Sequence, residues 1–390
     1  MLAALMCLGL LALSAGLPPD LREGSNDLSL YREAGEAILR GEVPYRDFFI
    51  EYPPGSLPAF IPPALLSASR DGYINLFSLE MALTLAVTLL LTALTARRLR
   101  VAHAWILPAV TFALAALLLY PVAIIRYDAV VALTLGLAVF FAALGGRFRV
   151  LAYASLGLGA AAKVVPALAT IPLALARRGV VRGYAVFLAV VALVFVPFAL
   201  LGSGGFLQSF AYQAERGLQV ESLGASILIF FRSVDGVVFE HGAFEVLGEG
   251  VGLATSLSPL LTLLFLAVTG LMMYWEYRRF GRPGAGTFPR HAAALILAFM
   301  LGSKVLSPQY MIWLLPLIPL SAEGAIGITI CTLFLATCFT TTLVFPIHYG
   351  DLLSLRYPGP ELLLARNLLL FALWVAMLAL SAAAKEKASS

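Results

Sequence analysis

RFRVLAYASLGLGAAAKVVPALATIPLALARR, residues 147–178, carries an apolar stretch between two arginine pairs. Arg147 and Arg149 stand before its apolar stretch, and Arg177 and Arg178 stand after it. An apolar run of this length reads as membrane-spanning, and basic flanks collect on the cytoplasmic side. A single crossing would leave one arginine pair on each side. Placing both pairs inside requires the run to go out and return, and Lys163 with Pro166 mark where a helix would break. The run 290–320 poses the same problem, with Lys304 and Pro308 near its centre. Both are expected to be pairs of short or discontinuous helices. Halves of about 13 residues fall short of the roughly 20 that a span needs, so protein or a water-filled cavity must line them.

The rest of the chain is of the same kind. Its 390 residues are 61% hydrophobic and 12% charged, with a mean hydropathy of +0.93; a soluble chain carries about 25% charged residues. Those values exclude a soluble globule, a disordered chain, a collagen and a disulfide scaffold. Further apolar runs lie at 1–17, 73–95, 103–124, 128–145, 180–201, 252–274, 324–347 and 364–384. With the two broken runs counted as pairs, the expectation is an all-α polytopic bundle of about twelve spans, a single domain over 1–390 with both termini inside. The first run, MLAALMCLGLLALSAGL, lacks a basic flank, and its LSA-G also reads as a signal-peptidase site, so a cleaved signal is the alternative. Cys7, Cys331 and Cys338 all fall in apolar runs and read as small hydrophobes.

The other basic clusters assign the sides. Arg97, Arg98 and Arg100, then Arg182, then Arg278, Arg279, Arg282 and Arg290, then Lys385 and Lys387 join the cytoplasmic face, where the acids are Glu276, Glu323 and Glu386. Nearly all remaining acids fall outside, so the net charge of +4 calls for no nucleic-acid partner. Two outer segments, 18–72 and 202–251, are too long to be mere connections. A multi-pass protein of the cell membrane with its working face outward, toward the periplasm or the exterior, is expected.

The first outer segment carries the densest signal, SNDLSLYREAGEAILRGEVPYRDFFIEYPPG. Asp27 to Arg40 reads as a helix with Leu28, Tyr31, Ala34, Gly35 and Ile38 on one face and Gly41 as its stop, a helix suited to the membrane interface. Asp27 alone also reads as an N-cap. Glu51-Tyr52-Pro53-Pro54 is a stiff extended turn, either fixing Glu51 near the first membrane helices or simply ending the loop.

These residues resemble a known family. Asp27 and Tyr31, then Leu39, Gly41, Pro44 and Tyr45, then Glu51-Tyr52-Pro53-Pro54, are similar to the first lumenal loop of glycosyltransferase family 87. GLGAAAKVVP at 157–166 and SPQYMIWLLPLIPL at 307–320 resemble two later stretches of it, so the likeness runs from about residue 26 to 320. That family groups with polyprenol-phosphate-sugar-dependent enzymes of GT-C fold, among them mannosyltransferases of bacterial envelopes.

The resemblance implies a membrane glycosyltransferase that moves a hexose, mannose above others, from a polyprenyl-phosphate donor to a glycolipid, lipid-linked or polysaccharide acceptor, with inversion. Asp27 matches the family's catalytic Asp and is the expected general base. Lys163, Lys304, Arg126 and Arg216 are the candidates for the donor phosphate. Each has a plainer reading: the lysines snorkel to the outer interface, Arg126 pairs with Asp128, and Arg216 is a solvated loop charge. Glu80 is a candidate to neutralise one of these cations. Tyr31, Glu51, Tyr52, Glu221, Gln309, Tyr310 and His348 are expected to contact substrate. The family often has a His after the late Ser-Pro; here Gln309 and Tyr310 stand there, and His348 is the possible substitute. No D-x-D, H-E-x-x-H, P-loop or G-x-G-x-x-G is present, so transfer without metal or cofactor is expected. A transporter or lipid-sugar flippase is the alternative, since broken helices with midplane charges also serve transport; an envelope-assembly scaffold is a third class.

Overall fold

The computed structural model describes residues 1–16, 26–99, 106–175, 179–281, 283–321 and 324–389. Arg100, Arg177, Arg178, Arg282 and Glu323, with residues 17–25 of the first outer segment, lie outside the described residues. The chain is mostly helical: α1 (Leu2–Ala15), α2 (Asn26–Leu39), α3 (Arg70–Leu99), α4 (Ile106–Leu118), α5 (Asp128–Leu144), α6 (Arg149–Ala162), α7 (Val180–Leu201), α8 (Ser203–Glu215), α9 (Leu223–Phe230), α10 (Val251–Phe280), α11 (Phe288–Gly302), α12 (Gly324–Thr342) and α13 (Gly359–Ser389), with short turns between them. Among the described residues six helices are long and apolar enough to cross a membrane, and Leu2–Ser14, Ile106–Leu118, Asp128–Leu144 and Val165–Leu175 are shorter apolar ones. Polar residues inside a span satisfy themselves locally. In α3, Thr84, Thr88, Thr92 and Thr95 each donate to the carbonyl four residues back.

The stretch 147–178 breaks where the sequence predicts. α6 stops at Ala162, Lys163 turns extended at φ −161° and ψ 128°, and a 3₁₀ turn over Val165–Ala169 leads into Thr170–Leu175. Pro166 sits at the start of that turn, where its missing N–H costs nothing. Gly146, Arg147 and Arg149 line one small cavity together with Gly179 and Arg182. The run therefore leaves one end of the bundle and returns to it, with Lys163 at the far end of a helix about 20 Å long.

The second broken run is less regular than expected. α11 ends at Gly302, 303–307 is extended, and 3₁₀ turns over Pro308–Leu314 and Pro319–Ser321 replace the helix expected there. Pro308, Pro316 and Pro319 remove the N–H groups that an α-helix would need. This irregular segment is nonetheless core: Met311 to Leu315 have no exposure, as a non-helical backbone at membrane depth requires.

The all-α expectation also needs correction. The second outer segment contains an antiparallel hairpin, β1 (Gly236–Glu240) and β2 (Ala243–Leu247), closed by His241 and Gly242 at φ 47° and 69°. Two consecutive left-handed residues make the tight turn that suits twisted strands. Val220 and Val246 tie the hairpin to the preceding segment through backbone bonds to Phe244 and Leu218.

Candidate active site

The first outer segment builds one wall of the site. Leu28, Tyr31 and Ala34 are buried on one face of α2, as the sequence predicts, and this face packs on Pro54–Leu66. Gly35 permits the approach, because a Cβ there would lie 2.3 Å from the Phe60 carbonyl oxygen. Tyr31 stacks on Phe60 at 4.4 Å, and Tyr52 and Tyr127 meet it edge-on at 5.2 and 5.8 Å. Against this aromatic wall, the Asp27 carboxylate accepts a hydrogen bond from the Tyr52 hydroxyl and meets the Arg126 guanidinium. Asp27 lies within the first turn of α2, with its carboxylate engaged there rather than as an N-cap.

The pairing expected between Arg126 and Asp128 does not form. Arg126 is extended, at φ −125° and ψ 140°, which turns it toward Asp27, while Asp128 opens α5 and faces the break in the next helix. Lys163 Nζ lies 2.8 Å from Asp128 Oδ1, and Trp313 Nε1 donates to the same oxygen at 2.6 Å. The rings of Tyr127, Tyr310 and Trp313 stand 5.3, 5.0 and 5.0 Å from the ammonium, within cation–π range. Lys163 is thus held inward and does not snorkel. Its neutraliser is Asp128, not Glu80, which lies outside the cavity lining.

The second outer segment supplies the opposite wall. Arg216 ends α8, and its guanidinium reaches Glu51 Oε2 at 2.7 Å and the His241 carbonyl at 2.9 Å. It is therefore no solvated loop charge. Gln213 joins the same carboxylate at 3.2 Å. Burial pushes the Glu51 carboxyl up, and Arg216 draws it part of the way back. Lys304 Nζ donates to the carbonyl of Ala214 at 2.8 Å and to that of Arg216, so two of its three N–H groups tie the loop to the break after α11. Gln219 closes the same seam, receiving Leu306 N–H at 2.8 Å and donating to Ser307 Oγ at 3.1 Å.

Glu221 lies deeper. Burial lifts its carboxyl to about 7, against the attraction of Arg366 and a hydrogen bond from Tyr349. Arg366, wholly buried on α13, approaches Glu221 Oε2 at 3.9 Å and donates to its carbonyl at 2.9 Å. Reading the sequence missed Arg366, Tyr349, Asp128 and Trp313 as site residues. An arginine inside an apolar run was the available signal for Arg366.

One cavity of about 1460 Å³ gathers Asp27, Tyr31, Glu51, Tyr52, Arg126, Lys163, Arg216, Glu221, Lys304, Gln309 and Tyr310. His348 is the exception: it pairs with Asp351 at 2.8 Å outside the lining, and its neighbour Tyr349 faces the cavity instead. Among the described residues no histidine lines this space. Phe49, Phe210, Phe239 and Phe345 add apolar wall. Paired carboxylates and cations beside apolar surface suit a charged head group carried on a lipid.

Apolar spanning helices around one polar cavity define a multi-pass membrane protein. Residues 49–308 match glycosyltransferase family 87, and the chain belongs to that family. It is a glycosyltransferase. The match opens after Asp27 and closes before Gln309 and Tyr310, a narrower span than the motifs suggested. In fold the chain is similar to the crystal structure of ArnT from Cupriavidus metallidurans bound to undecaprenyl phosphate, with 15% identity, a TM-score of 0.51, and coverage of 97% of this chain and 76% of that one. The apo state of the same protein gives 14% identity and a TM-score of 0.48, over 90% and 71% of the two chains. A comparison with curated proteins finds no match.

Proposed function

We propose that this enzyme transfers a hexose, mannose first among candidates, from a polyprenyl-phosphate donor to a lipid-linked or polysaccharide acceptor at the outer leaflet. The observation that carries the reading is the single cavity in which the Asp27 carboxylate shares walls with Lys163, Arg126 and Arg216. The undecaprenyl phosphate bound by ArnT, whose fold is similar, supports a polyprenyl carrier. Family membership favours chemistry over transport, and the flippase and scaffold alternatives have no observation of their own.

In this reading the acceptor hydroxyl attacks the anomeric carbon and Asp27 takes its proton. The bond from that carbon to the phosphate oxygen breaks, its electron pair leaves with the phosphate, and the configuration inverts. The cations offset the charge that builds on the phosphate. At rest each of three is held by a carboxylate: Arg126 by Asp27, Lys163 by Asp128 and Arg216 by Glu51. An arriving phosphate competes for Arg126 and so releases Asp27 to act, which couples the base to donor binding. Lys304, with one N–H left over, is the weakest phosphate candidate. Tyr31, Tyr52, Glu221, Gln309 and Tyr310 shape the space for sugar and acceptor. The transfer needs no cofactor.

The test is incubation of membranes carrying the enzyme with labelled polyprenyl-phosphate mannose, followed by analysis of the lipid and polymer products. Labelled product is expected. Transfer from another polyprenyl-phosphate sugar but not from mannose would overturn the choice of sugar. No transfer from any of them would overturn the donor class.

A further inference from the structure

The tip of the hairpin carries ligating side chains that the transfer chemistry does not use. Glu240 ends β1, His241 opens the turn and Glu245 lies in β2. The left-handed turn at His241 and Gly242 folds the first two back beside the third, so that one ligand atom from each falls within 4.8 Å of the others. Glu245 is 6% exposed. Its Oε1 and the Nδ1 of His241 are both buried without a hydrogen-bond partner. They face one another at 3.4 Å, beyond the usual N–H···O distance of about 2.9 Å. A buried carboxylate oxygen and a buried imidazole nitrogen left unbonded are costly, so a third body between them is the natural resolution.

The spacing says which body. Zinc binds imidazole nitrogen at about 2.0–2.1 Å and carboxylate oxygen at about 2.0–2.2 Å, which puts neighbouring ligand atoms of a tetrahedron about 3.4 Å apart. We propose that Glu240, His241 and Glu245 hold a zinc ion, with water as the fourth ligand. One imidazole with two carboxylates suits zinc; calcium would require six to eight oxygens. Glu240, exposed at the hairpin tip, supplies the third protein ligand from the solvent side.

The ion acts as a clip on the second outer segment. The backbone carbonyl of His241 accepts from Arg216 Nε at 2.9 Å, and Arg216 in turn holds Glu51. Pinning the hairpin tip therefore positions Arg216 on the cavity wall. No bond-making step passes through the metal, and the site stands whether or not the donor is a polyprenyl phosphate.

The test uses the full-length protein purified in lipid nanodiscs, stripped with a chelator and dialysed against buffered zinc. Bound metal is counted by atomic emission, and cobalt(II) serves as a visible-absorbing probe of the same site. One zinc per chain is expected in the wild type and in Asp351→Asn, which alters an unrelated His–Asp pair. His241→Ala and Glu245→Gln should each lose it, and excess calcium should not displace it. Limited proteolysis adds a reading that needs no variant: stripped wild type should be cut in the hairpin, and zinc should protect it. Absence of stoichiometric zinc from the wild type, or its retention by both ligand variants, would overturn the site.

Discussion

Lys163 and Asp128 meet at 2.8 Å where the outgoing helix of the broken run stops. The two residues lie 35 positions apart, on neighbouring helices, and Asp128 is almost wholly buried. Trp313 fixes the same carboxylate oxygen from the late 3₁₀ segment. The break thus has a chemical reason: it puts an ammonium at the cavity wall with its counter-ion already in place. A charge stranded in an apolar run has become one half of a pair.

That pairing sets the sign of a stability change. From sequence alone, Lys163→Met removes a costly charge and leaves the fold unharmed or improved. With Asp128 behind it, the same substitution leaves a buried carboxylate without its counter-ion, held only by the Trp313 N–H, a change worth about 3–5 kcal/mol in buried pairs. Lys163→Met should therefore melt lower in a detergent thermal-stability assay, and adding Asp128→Asn should restore much of the loss. A Lys163→Met variant as stable as the wild type would sink the argument.

The breaks were legible because two local rules agree at each. Basic flanks on both sides of 150–176 forbid a single crossing, and Lys163 with Pro166 marks the interruption. The α2 helix was legible from its apolar face and from Gly41 as its stop. What stayed hidden depends on partners far away in the chain. Trp313 and Asp128 are 185 residues apart, and Arg366 and Glu221 are 145 apart, distances at which periodicity carries no information. Lys304 looked identical to Lys163, yet its partners are two backbone carbonyls of another loop. The hairpin was written locally in the His241-Gly242 pair, but strands of five residues inside a long loop leave a weak signal.

Asp27 is the residue on which the proposed chemistry depends most. Asp27→Asn retains the size and can still receive the Tyr52 hydroxyl, but it cannot take a proton from the acceptor. Transfer should fall by about 10²–10⁴-fold, the usual worth of a general base, with protein yield unchanged. Activity within a few fold of wild type would remove Asp27 from the role of base.

Arg216 and Glu51 join the two outer segments across the cavity at 2.7 Å, both largely buried. Arg216→Gln should weaken donor binding, and it should also destabilise the protein by leaving Glu51 unpaired. Glu51→Gln should destabilise in the same way from the other side. The double variant should be more stable than the sum of the single losses predicts, with a coupling of about 1–3 kcal/mol typical of contacting charges. Strict additivity in thermal unfolding would show that the contact contributes nothing.

Glu221 gives a pH dependence whose direction follows from its burial. An exposed glutamate carries an ordinary value of 4.5, while burial lifts this one to about 7 despite Arg366. Between those two values the folded protein keeps a proton that the unfolded chain has already lost. The unfolded state then binds fewer protons, so stability falls as pH rises through that window and levels off above it. Ionising Glu221 also adds a further negative charge to the cavity wall, which opposes an incoming phosphate. Glu221→Gln mimics the protonated state at every pH. Thermal unfolding of the two proteins should be compared from about pH 5 to about pH 8, the range that brackets most of the transition. Wild type should lose stability relative to Glu221→Gln as pH rises, and the difference should stop growing above about 7. A difference that stays flat across the range would mean that Glu221 is already ionised at pH 5 and fully paired by Arg366.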